Sequence, residues 1–294
     1  MLGLLTQPAV ALAALLTLAP FLSAGFLPRS LEWARRLPLV LRILAPALLG
    51  VPYTLVSVST GVFRWGWLGV YTLLPVGISL LLYEASLADP EQQGGWRDFL
   101  ILFVLGLAVD LRWFEPAWGP RLAIFNKVLL LDAGIYGFLA IRQLRHVGFD
   151  LRLRLRDFSI GLFALAAYVP IGVGVGLLIG FLHFHALIPS LARVVLAWLF
   201  TFFFVAVPEE LFFRGWMQNL LERRVGSSRA LLITATLFGL SHFNKRATLF
   251  NWRYVLLATL AGIFYGLAWR QEHRVGASAV THASVDTIWS TWLR

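Results

Sequence analysis

Residues 158–184 read FSIGLFALAAYVPIGVGVGLLIGFLHF, a continuous apolar run that contains no Asp, Glu, Lys or Arg. A helix needs about 20 apolar residues to cross the hydrocarbon core of a bilayer. Only helices and closed barrels cross a bilayer, and barrel strands alternate apolar with polar residues. This run does not alternate, so it predicts a transmembrane helix.

The rest of the chain has the same character. Of its 294 residues, 59% are hydrophobic and 14% charged, and the mean hydropathy is +0.76. A soluble domain carries about 25% charged residues. The chain is therefore predicted to be an all-α, polytopic transmembrane helical bundle of about eight to ten spans. The apolar segments fall near residues 4–26, 37–60, 66–84, 98–111, 124–141, 158–184, 189–222, 230–243, 253–270 and 276–293.

The net charge of +10 comes almost entirely from arginines between the apolar segments. Loops at such places anchor to anionic lipid headgroups, so we expect a lipid bilayer and not nucleic acid as the partner. The chain has no Cys, which excludes disulfides and thiolate metal sites. No basic residue precedes Arg29, so residues 2–26 are expected to be a retained span rather than a signal peptide. The expected location is a bacterial-type inner (cell) membrane.

The stretch 145–157, in which Leu alternates with Arg, marks the boundary between two predicted regions. Residues 1–150 form an N-terminal transmembrane region and residues 151–294 a C-terminal domain. The stretch itself is predicted to be a solvated cytoplasmic linker. The glycines of residues 171–180 have the small-residue spacing that suits close helix packing.

Ionisable residues inside apolar segments are costly and are functional candidates by default. Three of the C-terminal segments contain such residues: Glu209, Glu210 and Arg214 in 189–222, His242 in 230–243, and His282 with Asp286 in 276–293. Asp110, Asp132 and Arg42 also lie in apolar segments, but each stands near a segment end or alone. For those three we predict a structural role.

The sequence VPEELFFR at residues 207–214 places Glu210 and Arg214 four residues apart, on one face of a helix, as an ion pair. Glu209 is rotated by roughly 100° from Glu210 and cannot share that arginine equally. A structural ion pair explains Glu210 and Arg214, but it does not explain Glu209. Pro208 lacks an N–H and is expected to kink or restart the helix. A restart would place both carboxylates in a first turn, where the helix dipole favours negative charge.

Two further pairs are spaced four residues apart, Phe238 with His242 and His282 with Asp286. Each pair alone is as well explained by packing. At the helical rise, however, Glu209, His242, His282 and Asp286 all lie about 12–21 Å inward from basic loops, provided that each intervening segment crosses once. This common depth predicts one shared intramembrane site. A carboxylate and two imidazoles can deprotonate a water and polarise a carbonyl, as peptide hydrolysis requires.

Taken together, the three motifs resemble the CPBP family (CAAX protease and bacteriocin-processing, or Abi, proteins), whose pattern is EExxxR, FxxxH and HxxxN or a close variant. The resemblance covers roughly residues 195–290. It implies an intramembrane endopeptidase like the type II CAAX prenyl proteases, acting on a membrane-associated peptide or protein. The matching residues are Glu209-Glu210…Arg214, Phe238…His242 and His282…Asp286.

The resemblance implies that Glu209 is the general base and that His242 helps to hold the attacking water. It implies that His282 and Asp286 face the scissile carbonyl, while Glu210, Arg214 and Phe238 support the site. Asp286 stands where the better-known pattern has Asn, and an ionised Asp cannot donate a hydrogen bond. His242, His282 and Asp286 would also make a plausible zinc set with an open position. A metal-free glutamate mechanism and a zinc mechanism both remain open.

Other intramembrane proteases need motifs that this sequence lacks. There is no HExxH and no GxGD. Residues Gly276-Ala277-Ser278-Ala279 fall one residue short of GxSG, and His282 is too close in sequence to serve as the distant histidine of a rhomboid site. The alternative of a different class is a non-catalytic immunity or scaffold factor, or a transporter that uses the same polar residues.

Overall fold

The computed structural model describes residues 7–27, 29–119, 122–185, 188–245 and 249–293. Within these ranges the regular structure is helical and no strand forms, which confirms the predicted all-α class. The helices are α1 (Pro8–Phe26), α2 (Arg29–Arg36), α3 (Leu39–Ser59), α4 (Trp65–Ala88), α5 (Trp96–Asp110), α6 (Ile124–Ile141), α7 (Leu155–Leu178), α8 (Leu191–Val225), α9 (Ser227–Leu240), α10 (Trp252–Glu272) and α11 (Val275–Trp292).

Seven of the described helices are long and apolar enough to cross a membrane, namely α1, α3, α4, α6, α7, α8 and α10. The other predicted segments also form helices. Helices α5 and α9 have 15 and 14 residues, and α11 has 18 but carries more polar side chains. The multi-pass bundle is confirmed, and seven such helices are fewer than the eight to ten spans expected. Residues 4–6 of the first predicted span lie outside the described residues.

The chain forms two compact units, Met1–Arg145 and His146–Arg294. In the first unit, the buried Arg142 follows α6 and binds Asp89 at 2.8 Å and Asp98 at 2.9 Å. These bonds fix the end of α6 to the start of α5. In the second unit, Leu191 and Leu196 of α8 are among the apolar side chains that point outward, which is the pattern expected of a helix in contact with lipid.

The stretch 145–157, which belongs to the second unit from His146 onward, is more structured than a solvated linker. Its arginines point outward as predicted, but Asp150 and Asp157 both bind the buried Arg274, at 3.3 and 2.7 Å. The backbone N–H of Val275 donates to the carbonyl of Gly148 at 2.9 Å. The stretch therefore packs on the turn between α10 and α11, because its acidic residues neutralise an arginine there. The outward arginines are Arg152, Arg154 and Arg156.

Helix α8 continues through Pro208, so of the two predicted outcomes, a kink or a restart, the restart does not occur. The turns at Phe202–Ala206 and Leu211–Gln218 are wide π turns, and an ordinary α turn lies between them. The N–H of Val207 bonds to the carbonyl of Phe202, five residues earlier. This widening just before Pro208 lets the chain pass a residue without an N–H and stay helical. Both glutamates therefore lie inside a continuous helix.

The glycine-rich part of α7 makes room for nearby side chains rather than for another helix. A Cβ added at Gly172 would lie 2.4 Å from Tyr168, and one at Gly176 would lie 2.4 Å from Leu182. The close approach of two helices occurs earlier on α7. There a Cβ at Gly161 would lie 2.8 Å from the carbonyl oxygen of Ala277 in α11.

Candidate active site

Glu210 and Arg214 form the ion pair that their spacing predicts. Nη1 of Arg214 lies 3.0 Å from Oε1 of Glu210, and both side chains are completely buried. Nη2 of the same arginine donates to the carbonyl oxygen of Gly262 at 2.8 Å. The pair therefore ties α8 to α10 across the interior of the second unit.

His282 is surrounded by three carboxylates. Its Nδ1 lies 2.8 Å from Oε1 of Glu210, and its Nε2 lies 3.6 Å from Asp286 and 3.9 Å from Glu209. The spacing of four residues predicted only the contact with Asp286. The shortest contact is instead the one with Glu210, which belongs to another helix.

The three carboxylates differ in access to water. Glu210 is completely buried, whereas the side chains of Glu209 and Asp286 are 29% and 33% exposed. Glu209 therefore points to a different side of α8 from Glu210, as the rotation per residue predicts. Glu209 and Asp286 are partly exposed, and Glu210 is held between a cation and an imidazole.

His242 lies in the turn that follows α9, where its backbone N–H donates to Gly239. Its Nδ1 lies 2.9 Å from the carbonyl oxygen of Phe238 and 3.1 Å from Oγ of Ser241. A carbonyl oxygen only accepts, so in this bond Nδ1 carries the proton and Nε2 keeps a lone pair. The ring of Phe238 lies 4.9 Å from the ring of His242 and 5.5 Å from that of His282.

A cavity adjoins the two histidines and Asp286, and its empty volume is about 620 Å³ when the open space at its mouth is included. Its polar wall includes His242, His282 and Asp286, and much of the remaining wall is aromatic or aliphatic. A mainly apolar cavity with a few convergent polar groups is the usual form of a ligand site. The aromatic side chains of the wall include Tyr168, Phe181, Tyr254, Tyr265 and Trp289.

Two tyrosines of this wall were not predicted from the sequence. Tyr265 of α10 stacks on His282, with 4.6 Å between ring centroids and 15° between ring planes. Tyr168 of α7 donates to the carbonyl oxygen of Leu257 at 3.4 Å. Tyrosines are common in apolar helices, so neither stands out by residue type. Depth along the helices is the criterion by which the charged residues were grouped, and it is the sequence signal that could have identified the two tyrosines.

The side chains of the described residues do not form an assembled metal site. In the part of the chain that the structure describes, no group of three or more His, Cys, Asp or Glu side chains is placed to hold one. His242 and His282 each direct Nδ1 to a protein oxygen, and Nε2 of His282 faces carboxylates. Zinc bound by His242, His282 and Asp286 stays a prediction from the sequence, without support from the side-chain geometry.

Fold and site together define an integral, multi-pass membrane protein with a buried glutamate–histidine centre. Residues 191–288 match the family model for Rce1-like type II CAAX prenyl endopeptidases. This part of the chain is therefore similar to that family, which confirms the resemblance shown by the three motifs. No curated protein and no solved structure matches the chain. The family match supports an intramembrane endopeptidase in general terms.

Proposed function

We propose that the protein hydrolyses a peptide bond of a membrane-associated substrate with a water activated by Glu209 and His242. One observation carries the proposal. The side chain of Glu209 is partly exposed, and its Oε2 lies 3.9 Å from Nε2 of His282, which borders an apolar cavity. The setting that we propose is a bacterial-type inner membrane.

Glu209 is the better general base of the two glutamates. A base must touch water and must take up a proton during the reaction. Glu210 meets neither condition, because it is completely buried and binds Arg214 and His282 through one oxygen. Glu209 is partly exposed and lies beside an imidazole that can share its proton.

His242 assists at the same water. Its Nδ1 is directed to Phe238, so its Nε2 can accept a hydrogen bond from a water in the cavity. A water held between Nε2 of His242 and the carboxylate of Glu209 would lose its proton to Glu209 as its oxygen attacks the carbonyl carbon. His282 and Asp286 would face that carbonyl.

Glu210 and Arg214 serve this reaction indirectly. Glu210 fixes the ring orientation of His282 through the 2.8 Å contact with Nδ1, and Arg214 holds Glu210 in place. A second group that orients a catalytic histidine is a recurring arrangement in hydrolases. Phe238 packs against both imidazoles and limits their movement.

The test compares the parent protein with Glu209→Gln and His242→Ala, each purified in detergent and assayed against a library of membrane-associated peptides. Glu222→Gln is the matched control, since Glu222 lies on the same helix and binds Arg270, away from the cavity. We expect cleavage by the parent and by the control, and none by the two site variants. A chelator added to the parent separates a metal-free reaction from one that needs a metal.

If the parent cleaves nothing, but Glu209→Gln still abolishes a cellular phenotype, the site binds or transports a ligand and the proposal of hydrolysis is wrong.

A further inference from the structure

The proposed reaction develops negative charge on the carbonyl oxygen of the substrate. Such an oxyanion is stabilised by hydrogen-bond donors that are already in place. The carboxylates at this centre only accept hydrogen bonds when they are ionised. Asp286 borders the cavity and lies near His282, but as an ionised group it would repel the oxyanion. A neutral donor elsewhere in the wall would therefore add to what the imidazole of His282 can supply.

The side chain of Tyr265 has the required position. It borders the cavity, is 1% exposed, and its ring lies parallel to that of His282 with 4.6 Å between centroids. The stack holds the phenol in one orientation beside the imidazole that faces the carbonyl in the proposed reaction.

The hydroxyl of Tyr265 is available as a donor. Among the described residues, the hydrogen bonds formed by side chains include none from this group. The hydroxyl of Tyr168, in the same wall, differs because it donates to Leu257 at 3.4 Å. A hydroxyl in a largely buried wall is unfavourable without a partner, and a ligand in the cavity would supply that partner.

Arg214 strengthens this donor. Its guanidinium carbon lies 5.3 Å from the centre of the Tyr265 ring. A fixed positive charge at that distance draws electron density from the ring and makes the hydroxyl hydrogen a better donor. The charge of Arg214 would thus act on the reacting atoms indirectly, through Tyr265, while Arg214 itself forms its ion pair with Glu210.

We propose that the Tyr265 hydroxyl donates a hydrogen bond to the oxyanion formed in the hydrolysis described above, on which this inference rests. The oxygen of water bonds to the carbonyl carbon, its proton passes to Glu209, and the carbonyl electron pair moves to oxygen. Tyr265 stays protonated and stabilises that oxygen. The C–N bond then breaks, the electron pair re-forms the carbonyl, and Glu209 returns the proton to the leaving amine.

The test uses Tyr265→Phe, which keeps the ring and its stack but removes the hydroxyl. We expect kcat to fall on the order of 10²-fold, as for the loss of one oxyanion donor, with KM and melting temperature close to those of the parent. A residue that only packed against His282 would show no such change in kcat. Tyr136→Phe, a variant of the N-terminal unit, controls for loss of a tyrosine hydroxyl and should cleave at the parent's rate.

Three results would overturn the inference. Tyr265→Phe could cleave at the parent's rate while Glu209→Gln is inactive, in which case the oxyanion role fails and the proposed hydrolysis stands. Tyr168→Phe could lose as much kcat as Tyr265→Phe, in which case the effect belongs to the cavity wall in general. A parent that cleaves no peptide would overturn the proposed function and, with it, this inference.

Discussion

Oε1 of Glu210 lies 2.8 Å from Nδ1 of His282, although the two residues are 72 positions apart in the chain. The same oxygen accepts the bond from Arg214, which also reaches the backbone of α10 at Gly262. One buried carboxylate therefore connects α8, α10 and α11. Its neighbour Glu209 faces another side of α8 and is the general base of the proposed reaction.

The first prediction concerns the stability of this connection. Arg214→Leu leaves Glu210 completely buried without its cation, so we expect the free energy of unfolding in detergent to fall by about 3–5 kcal/mol. Arg97→Leu is the control. It removes a cation from an ion pair with Glu84 whose side chains are 27% and 46% exposed, and we expect a loss below about 1 kcal/mol. Similar losses in the two variants would show that Arg214 does not hold the helices together.

The sequence was sufficient to predict the helical segments and the polar residues that meet at the site. Continuous apolar runs mark helices without reference to tertiary structure. A spacing of four residues predicts the contact of Glu210 with Arg214, because that contact lies within one helix. The shared depth of Glu209, His242 and His282 used only the helical rise, and the histidines do border one cavity.

Contacts between different helices could not be predicted from the spacing of residues within one helix. The bond of Glu210 to His282 and the stack of Tyr265 on His282 depend on how the helices turn about their axes, which spacing does not give. The path of α8 through Pro208 depends on a wide turn that has no sequence signal. The packing of the stretch 145–157 on Arg274 was not predicted, because exposed arginines dominate the composition of that stretch.

The second prediction compares two glycines of α7. A Cβ at Gly172 would lie 2.4 Å from the ring of Tyr168, whereas a Cβ at Gly174 meets nothing within 4 Å. Gly172→Ala should displace Tyr168, change the shape of the cavity and shift cleavage toward different peptides of the library. Gly174→Ala should keep the parent's peptide preference and raise stability by about 0.5–1 kcal/mol. Unchanged peptide preference in Gly172→Ala would show that Tyr168 does not shape the binding site.

The third prediction concerns acid stability. Burial alone would raise the pKa of the Asp150 carboxyl, but hydrogen bonds from Arg152 and Arg274 outweigh it and hold that pKa below its ordinary value of 3.8. A lowered pKa in the folded state stabilises the fold above the unfolded value, and this contribution disappears as the pH falls through the folded pKa. Asp150→Asn should therefore have a lower melting temperature than the parent at neutral pH.

The difference in melting temperature between Asp150→Asn and the parent should shrink as the pH falls below 3.8, since Asp150 then becomes protonated in the parent also. Glu91→Gln removes the same charge from an exposed position and should have the parent's melting temperature at neutral pH. A difference for Asp150→Asn that persists unchanged into acid would show that its charge does not stabilise the packing of this stretch.

The last prediction contrasts two buried aspartates of the N-terminal unit. No cation pairs with the buried Asp132 among the described residues, and the backbone of Phe21 is its hydrogen-bond donor, whereas Asp98 binds Arg142 at 2.9 Å. A buried carboxylate without a cation is costly, so Asp132→Leu should raise stability. Asp98→Leu should lower it by about 3–5 kcal/mol, because a buried arginine loses its partner. Thermal unfolding in detergent measures both, and a loss of stability in Asp132→Leu would indicate that Asp132 holds a ligand in the native protein.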